Sequence, residues 1–277
     1  MKTNYYALIA GLPDWKPDDK KSPLSLIDLH NELRETLTAD DLHIAELFYM
    51  PFDHANILSK LYNTQALFDA RGKYTEQEIE HIVDIKAIES DDVVAEEYLI
   101  SAVSNFYATE PRLSLTAMSL LLQEGWLNLL LSSNNAFVVN YAKFSNTLQS
   151  ILIALQSRKY NTNLSSAIVG TDDVTESIRK SKAHDFGLKG EVDIIEQLLQ
   201  IFEIQNLVER EMKIDALKWA YIDDATFFNY FSIEKVIAAI IKLTMLERWT
   251  VLDEQNGRQK FVGIISTIKE SYEKSKK

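Results

Sequence analysis

All five prolines of this chain stand at or before Pro111, and the stretch from Arg112 to Lys277 contains none. A proline inside a helix removes a hydrogen bond and clashes with the preceding turn. A long proline-free run with only six glycines therefore leaves the backbone free to build long helices. Strand signals do not compete. No Asn-Gly or Asp-Gly pair lies between alternating apolar runs, and Asn256–Gly257 follows a helical pattern. The expected fold is all-α and multi-helix. It is one helical domain over 1–277, divisible into lobes at 1–110, 111–190 and 191–277.

Several helix starts are legible. In "SLIDLHNELRETL", Leu26, Leu29, Leu33 and Leu37 share one face. Thr38 with Asp41, and Thr75 with Glu78, have the spacing of a capping box. Asp53 is placed to cap "HANILSKLYN", and "DDVVAEEYLISAVSNFYA" reads as a helix with acids at its positive end. The apolar region Leu113–Leu131 is followed by a polar break at Ser132–Asn135, a helix from Ala136 to about Arg158, and a polar linker, Lys159–Ser166. Gly170–Gly190 holds a short polar helix and a turn. The segment from Glu191 to Ile222 reads as one long helix or a tight pair. Ser232 caps the last major helix, with Phe231 and Val236 as a hydrophobic staple and Gly257 as its C′ residue. A final helix over about Arg258–Tyr272 leads into a basic tail.

Composition narrows function by exclusion. The absence of cysteine removes disulfides, thiolate nucleophiles and Cys-ligated zinc. The formal net charge of −12 repels a nucleic-acid backbone unless a basic patch intervenes. The only basic runs are "RKSK" at Arg179–Lys182 and the terminal "KSKK". Such a surface suits a basic protein partner. The apolar run Tyr5–Leu12 is short for a signal peptide and is followed at once by charge. The uncharged stretch Gly125–Ala142 is interrupted by "SSNN", which argues against a membrane span. A soluble, cytoplasmic protein is expected, with any membrane association made through a partner.

Candidate chemistry is sparse. His184–Asp185 has the order of the metal-binding pair of HD-type phosphohydrolases, and His54 and His81 are the further ligands such a site would draw on. Asp185-Phe186-Gly187 spells the kinase metal-binding triplet, but no Gly-rich loop or "HRD" accompanies it. A turn accounts for it better: Phe186 anchors into the core, Gly187 supplies positive φ, and Asp185 bonds to the local backbone. No phosphate-cradling loop and no G-x-S-x-G elbow occurs. Asn163-Leu164-Ser165 fits a glycosylation sequon, which signifies only in a secreted chain. The acidic pairs opening at Asp18, Asp40, Asp91, Asp172 and Asp223 read as charges at helix N-termini. No catalytic residue, metal or cofactor is assigned.

The segment "FSIEKVIAAIIKLTMLERWTVLDEQ" is different in kind. Ile233, Val236, Ile237, Ile240 and Ile241 spread around most of a helix, which marks it as buried among several others. Glu247, Arg248 and Trp249 come where that helix emerges. Arginine can lie along an apolar surface with its head in water, and tryptophan can bridge core and rim. The residues lean towards packing between lobes, with the rim of a docking site as the sharper alternative.

Three stretches resemble one family. "FDHANILSKLYN" is similar to the D-x-x-N-L segment that opens a helix in the C subunit of V/A-type ATPases, whose eukaryotic relative is the d subunit of vacuolar ATPases. Asp53 and Asn56 occupy its two polar positions. "FSNTLQSILIALQSRKYN" resembles a second copy ending in Arg158–Lys159, with Thr147 and Ser150 where Asp and Asn would stand. "VIAAIIKLTMLERWTVLDEQ" resembles the C-terminal helix. The opening "NYYALIAGLPDW" is similar to the start of the family's first helix. Over its whole length the chain resembles an uncharacterised bacterial family encoded among V/A-type ATPase subunits, in the place of the C subunit. The shared stretches are "YYALIAGLPD", "FYMPFDHANIL", "SKAHDFGL", "KIDALKWAYID" (which contains Trp219) and "FSIEKVIAAIIKLTMLERWTVLD". The resemblance implies a funnel-like array of roughly three pseudo-repeated helical lobes. It would be a non-catalytic rotor part of the central stalk, peripheral to the inner membrane. Its partners would be the D and F shaft subunits and the membrane rotor ring. An acidic socket would receive a basic shaft tip. A metal-dependent phosphohydrolase and a generic helical adaptor are the alternatives.

Overall fold

A computed structural model describes residues 3–17, 19, 22–162 and 167–251. Gly257, the expected helix over Arg258–Tyr272 and the sequon Asn163–Ser165 lie outside these. Among the described residues the chain forms thirteen helices and no strand, so the fold is all-α. In order they are α1 (Tyr6–Gly11), α2 (Leu26–Thr36), α3 (Ala39–Glu46), α4 (Met50–Leu61), α5 (Glu76–Ile82), α6 (Ile85–Glu89) and α7 (Glu97–Ala108). These are followed by α8 (Leu115–Leu131), α9 (Ala136–Tyr160), α10 (Asp173–Lys180), α11 (Ile195–Phe202), α12 (Leu207–Ala225) and α13 (Ile233–Val251). No helix among the described residues is long and apolar enough to cross a membrane.

Local chemistry sets most of these starts. Thr75 and Glu78 form a complete capping box, each side chain accepting the other's backbone N–H. Ser25, Thr38, Ser114, Asn135, Asp172 and Asn206 each accept an N–H from the first turn that follows. The segment after Glu191 resolves into a pair of helices, α11 and α12. Asp53 corrects the expectation. Pro51 fits the first turn, where its missing N–H costs nothing, so α4 begins at Met50 and Asp53 lies inside it. Asp91 and Asp92 sit in a turn, Asp91 with φ 58°, rather than on a helix N-terminus. Asp223 is at the C-terminal end of α12, the unfavourable end of the dipole, and Lys242 of α13 pairs with it. The Phe231 ring packs on Tyr6, at 4.4 Å between centroids, and is about two-fifths exposed.

Three apolar clusters organise the molecule, and they do not follow the divisions at 110 and 190. The first joins the N-terminal helices α1 to α3 with the end of α8, the start of α9, the second half of α12, and α13 from Ile233 to Leu246. Val236, Ile237, Ile240 and Leu243 of α13 are completely enclosed. Each such side chain contributes about 1.5–3 kcal/mol relative to exposure. The second cluster packs α4 to α8, and the third joins the end of α9 with α10, α11 and the start of α12. Gly125 lets α8 approach α7: a Cβ there would stand 2.4 Å from the Tyr98 ring.

Candidate functional site

Asp53 and Asn56 lie one turn apart on the buried face of α4, and both grip the backbone of the segment 69–74. The Asn56 side chain donates to the Asp69 carbonyl and accepts the Asp69 N–H, both at 2.9 Å. The Asp53 carboxylate accepts the N–H of Lys73 at 2.8 Å and of Tyr74 at 3.2 Å. Gly72 is required by this approach, since a Cβ there would meet Asp53 Oδ1 at 2.1 Å. Burial pushes the Asp53 carboxyl up to about 7, against the pull of the two N–H groups and of Lys73. The polar pair is thus a clamp on an irregular segment.

The clamped segment reaches α13. Arg71 forms a two-point pair with Asp69, at 2.9 and 2.6 Å, lies 4.3 Å over the Phe52 ring, and extends to Glu247 at 3.4 Å. Glu247 in turn accepts the N–H of Leu26, the first residue of α2, at 2.7 Å. That places a carboxylate on a helix N-terminus, where it satisfies an orphan donor. One turn face further, Arg248 and the indole N–H of Trp249 (2.8 Å) converge on the Asp215 carboxylate of α12. Asp215 is buried, and Arg248 also faces Glu211 at 3.6 Å. Residues 247–249 therefore fasten α13 to α2, to the segment 69–74 and to α12.

Arg158 and Asp185-Phe186-Gly187 form a second fastening. Phe186 is fully buried with φ 58°, Gly187 has φ 75°, and the Gly187 N–H bonds to Asp185 Oδ1 at 3.0 Å. Arg158 stacks 3.8 Å above the Phe186 ring and donates to the carbonyls of Ser181 (2.8 Å) and Ala183 (2.6 Å). Lys159 lies 5.4 Å over the Phe202 ring. Trp219 is buried in the first cluster beneath the Lys242 ammonium, at 4.7 Å.

The histidines considered as ligands are separately engaged. His54 is buried against the Tyr98 hydroxyl at 2.7 Å, and burial pulls its pKa down to about 4. His81 bonds to the Asp92 carbonyl at 3.1 Å, and His184 is exposed beside the turn. Among the described residues no three His, Asp or Glu side chains are grouped so as to hold a metal ion. A cleft of about 360 Å³ between α4, α8 and α9 is lined by His54, Trp126, Asn146 and Ser150, and no Asp, Glu, Lys or Arg reaches it.

The turn joining α12 to α13 offers a different kind of surface. Phe227, Phe228, Tyr230 and Phe231 are 61, 81, 61 and 38% exposed, and Tyr6 packs beside Phe231. Next to them a cleft of about 360 Å³ is lined by Asp40, Asp41, Ser232 and Glu234. Tyr5 ties the two together, its N–H on the Phe231 carbonyl at 2.7 Å and its hydroxyl on Asp41. The run "TFFNYF" is conspicuous in the sequence, but its exposure follows only from the turn that carries it. Gly72, Lys73 and Asp215 carried no comparable signal, because their partners are distant in the chain.

No curated protein and no solved structure matches this chain. The sequence model of the family described as "Protein of unknown function (DUF2764)" matches residues 1–272. A match of that extent places the chain in the family: it is a member of DUF2764.

Proposed function

We propose that the chain is a non-catalytic coupling component of a V/A-type ATPase rotor. It would join the D and F shaft subunits to the membrane ring, on the cytoplasmic side and peripheral to the inner membrane. The observation that carries the reading is the joint built on the motifs that resemble the ATPase C subunit. Asp53 and Asn56, the polar pair of the D-x-x-N-L segment, clamp residues 69–74. From there Arg71 reaches Glu247, in the segment resembling the C-terminal helix. A part that transmits torque needs helices fastened across lobes, and it needs no reacting group. The clustering of polar side chains at helix junctions, rather than around a reaction centre, fits that demand.

Isolation of the ATP-hydrolysing complex from the native membrane tests the proposal. The chain is expected in near-equal amount with the shaft subunits, and it should leave with the shaft when the complex is dissociated. An intact, coupled complex without this chain overturns the reading.

A further inference from the structure

The aromatic turn between α12 and α13 is not slack chain. Thr226 is buried and donates to the Ile222 carbonyl at 2.8 Å. The N–H groups of Phe227 and Asn229 bond to the carbonyls of Asp224 (3.3 Å) and Thr226 (3.0 Å). The backbone is therefore set, and the rings of Phe227, Phe228 and Tyr230 are held outward on it. A turn of this kind works with small or polar residues. Single exposed rings are ordinary, whereas a contiguous group on a fixed backbone marks a surface for association.

The charges around the turn select the partner. Asp40, Asp41 and Glu234 line the adjoining cleft, and Asp223 and Asp224 precede the rings in the chain. The segment from Asp223 to Phe231 contains two acids and no base. Lys242 is committed to Asp223 and to the Trp219 ring. An anionic lipid surface would be repelled here, because membrane-seeking aromatics work beside basic residues. A second copy of the chain would bring the same acids face to face.

We propose that this end of the molecule docks a segment of another protein that carries Lys or Arg beside an apolar face. The partner's apolar side chains pack on Phe227, Phe228 and Tyr230, and its cations enter the cleft at Asp40 and Asp41. This goes beyond the rotor reading and stands without it, so failure to co-purify with an ATPase leaves it untouched.

Fluorescence anisotropy on the full chain tests it, with a labelled amphipathic peptide of about eighteen residues, leucines on one face and lysines on the other. Its glutamate analogue is the first control. The lysine peptide is expected to bind and the glutamate peptide not to. Phe227→Ser with Phe228→Ser should weaken binding at least about tenfold, and Asp40→Lys by about tenfold with a shallower salt dependence. All three side chains are exposed, and unchanged helical circular dichroism and Tm confirm that the variants fold. Glu203→Lys, beside the other end of α12, should leave binding within about twofold. Several results overturn the proposal: no binding of the lysine peptide, equal binding of both peptides, or an equal loss with Glu203→Lys. So does aromatic-dependent binding to phosphatidylcholine or phosphatidylcholine–phosphatidylglycerol vesicles in place of the peptide. Self-association abolished by the Phe227→Ser, Phe228→Ser pair, seen by sedimentation, likewise overturns it.

Discussion

On α4, the carboxylate of Asp53 and the amide of Asn56 receive backbone N–H groups from Asp69, Lys73 and Tyr74. On α9, the guanidinium of Arg158 gives its protons to the carbonyls of Ser181 and Ala183. Both helices hold a later, irregular stretch of chain against the body of the molecule, the one at α4 mainly through its N–H groups and the one at α9 through its carbonyls. The α4 device is buried and holds mainly by accepting, three N–H groups against one donated bond from Asn56, and its carboxyl makes its energy depend on protonation. The α9 device is exposed at its charged head and stays cationic at any ordinary pH. Thr147 and Ser150, in place of an Asp and an Asn, thus do not leave α9 without a fastening. The work is done at its other end.

Four substitutions separate the two devices. Phe186→Ala, which removes a fully buried ring from the α9 device, should cost about 3–5 kcal/mol in urea unfolding. A loss under about 1 kcal/mol would mean that Arg158 does not depend on that ring. Gly72→Ala forces a methyl into the α4 clamp and should cost about 2–3 kcal/mol. Gly190→Ala serves as its control, since it meets no atom and bears only its positive φ of 88°, about 1 kcal/mol. Equal losses at the two glycines would break the account of the clamp.

The third substitution uses pH. Burial raises the folded carboxyl of Asp53 to about 7, against roughly 3.9 in the unfolded chain. Between these values the folded state holds more proton, so stability falls as pH rises and then levels above about 7. Asp53→Asn cannot titrate. The variant's unfolding free energy in urea should therefore fall less between pH 4 and 7, by a difference on the order of 2 kcal/mol. An unchanged slope would show that Asp53 is not the titrating group. Arg158→Lys is the mildest change. It exchanges a planar two-point donor stacked on Phe186 for a point charge, at about 1 kcal/mol, and should leave the pH slope as it is.

Helix content was legible because proline is confined to the first 111 residues, because glycine is scarce, and because caps such as Thr75–Glu78 are local. The turn at Asp185-Phe186-Gly187 was legible for the same reason: its bonds close within two or three residues. The packing role of Arg248 and Trp249 was half legible. The emergence of a buried helix could be seen, but their shared acceptor, Asp215, lies in α12. Asp53 was misread as a cap because its true partners are backbone N–H groups at Lys73 and Tyr74, and backbone groups leave no mark in a sequence. The pairs at Asp91 and Asp223 show a related limit. Adjacent acids signal a helix start only when the chain beyond them continues as a helix, and at Asp223 it ends two residues later.

The clamp on residues 69–74 also sets a clock. Amide protons in loops normally trade with solvent within moments, while those in helices wait for the structure to open. The N–H groups of Lys73 and Tyr74 belong to no helix, yet each is bonded to a carboxylate with no exposed surface. Their deuterium uptake should keep pace with the interior of α4 rather than with neighbouring turns. This segment has the outline of a loop and the breathing rate of a core.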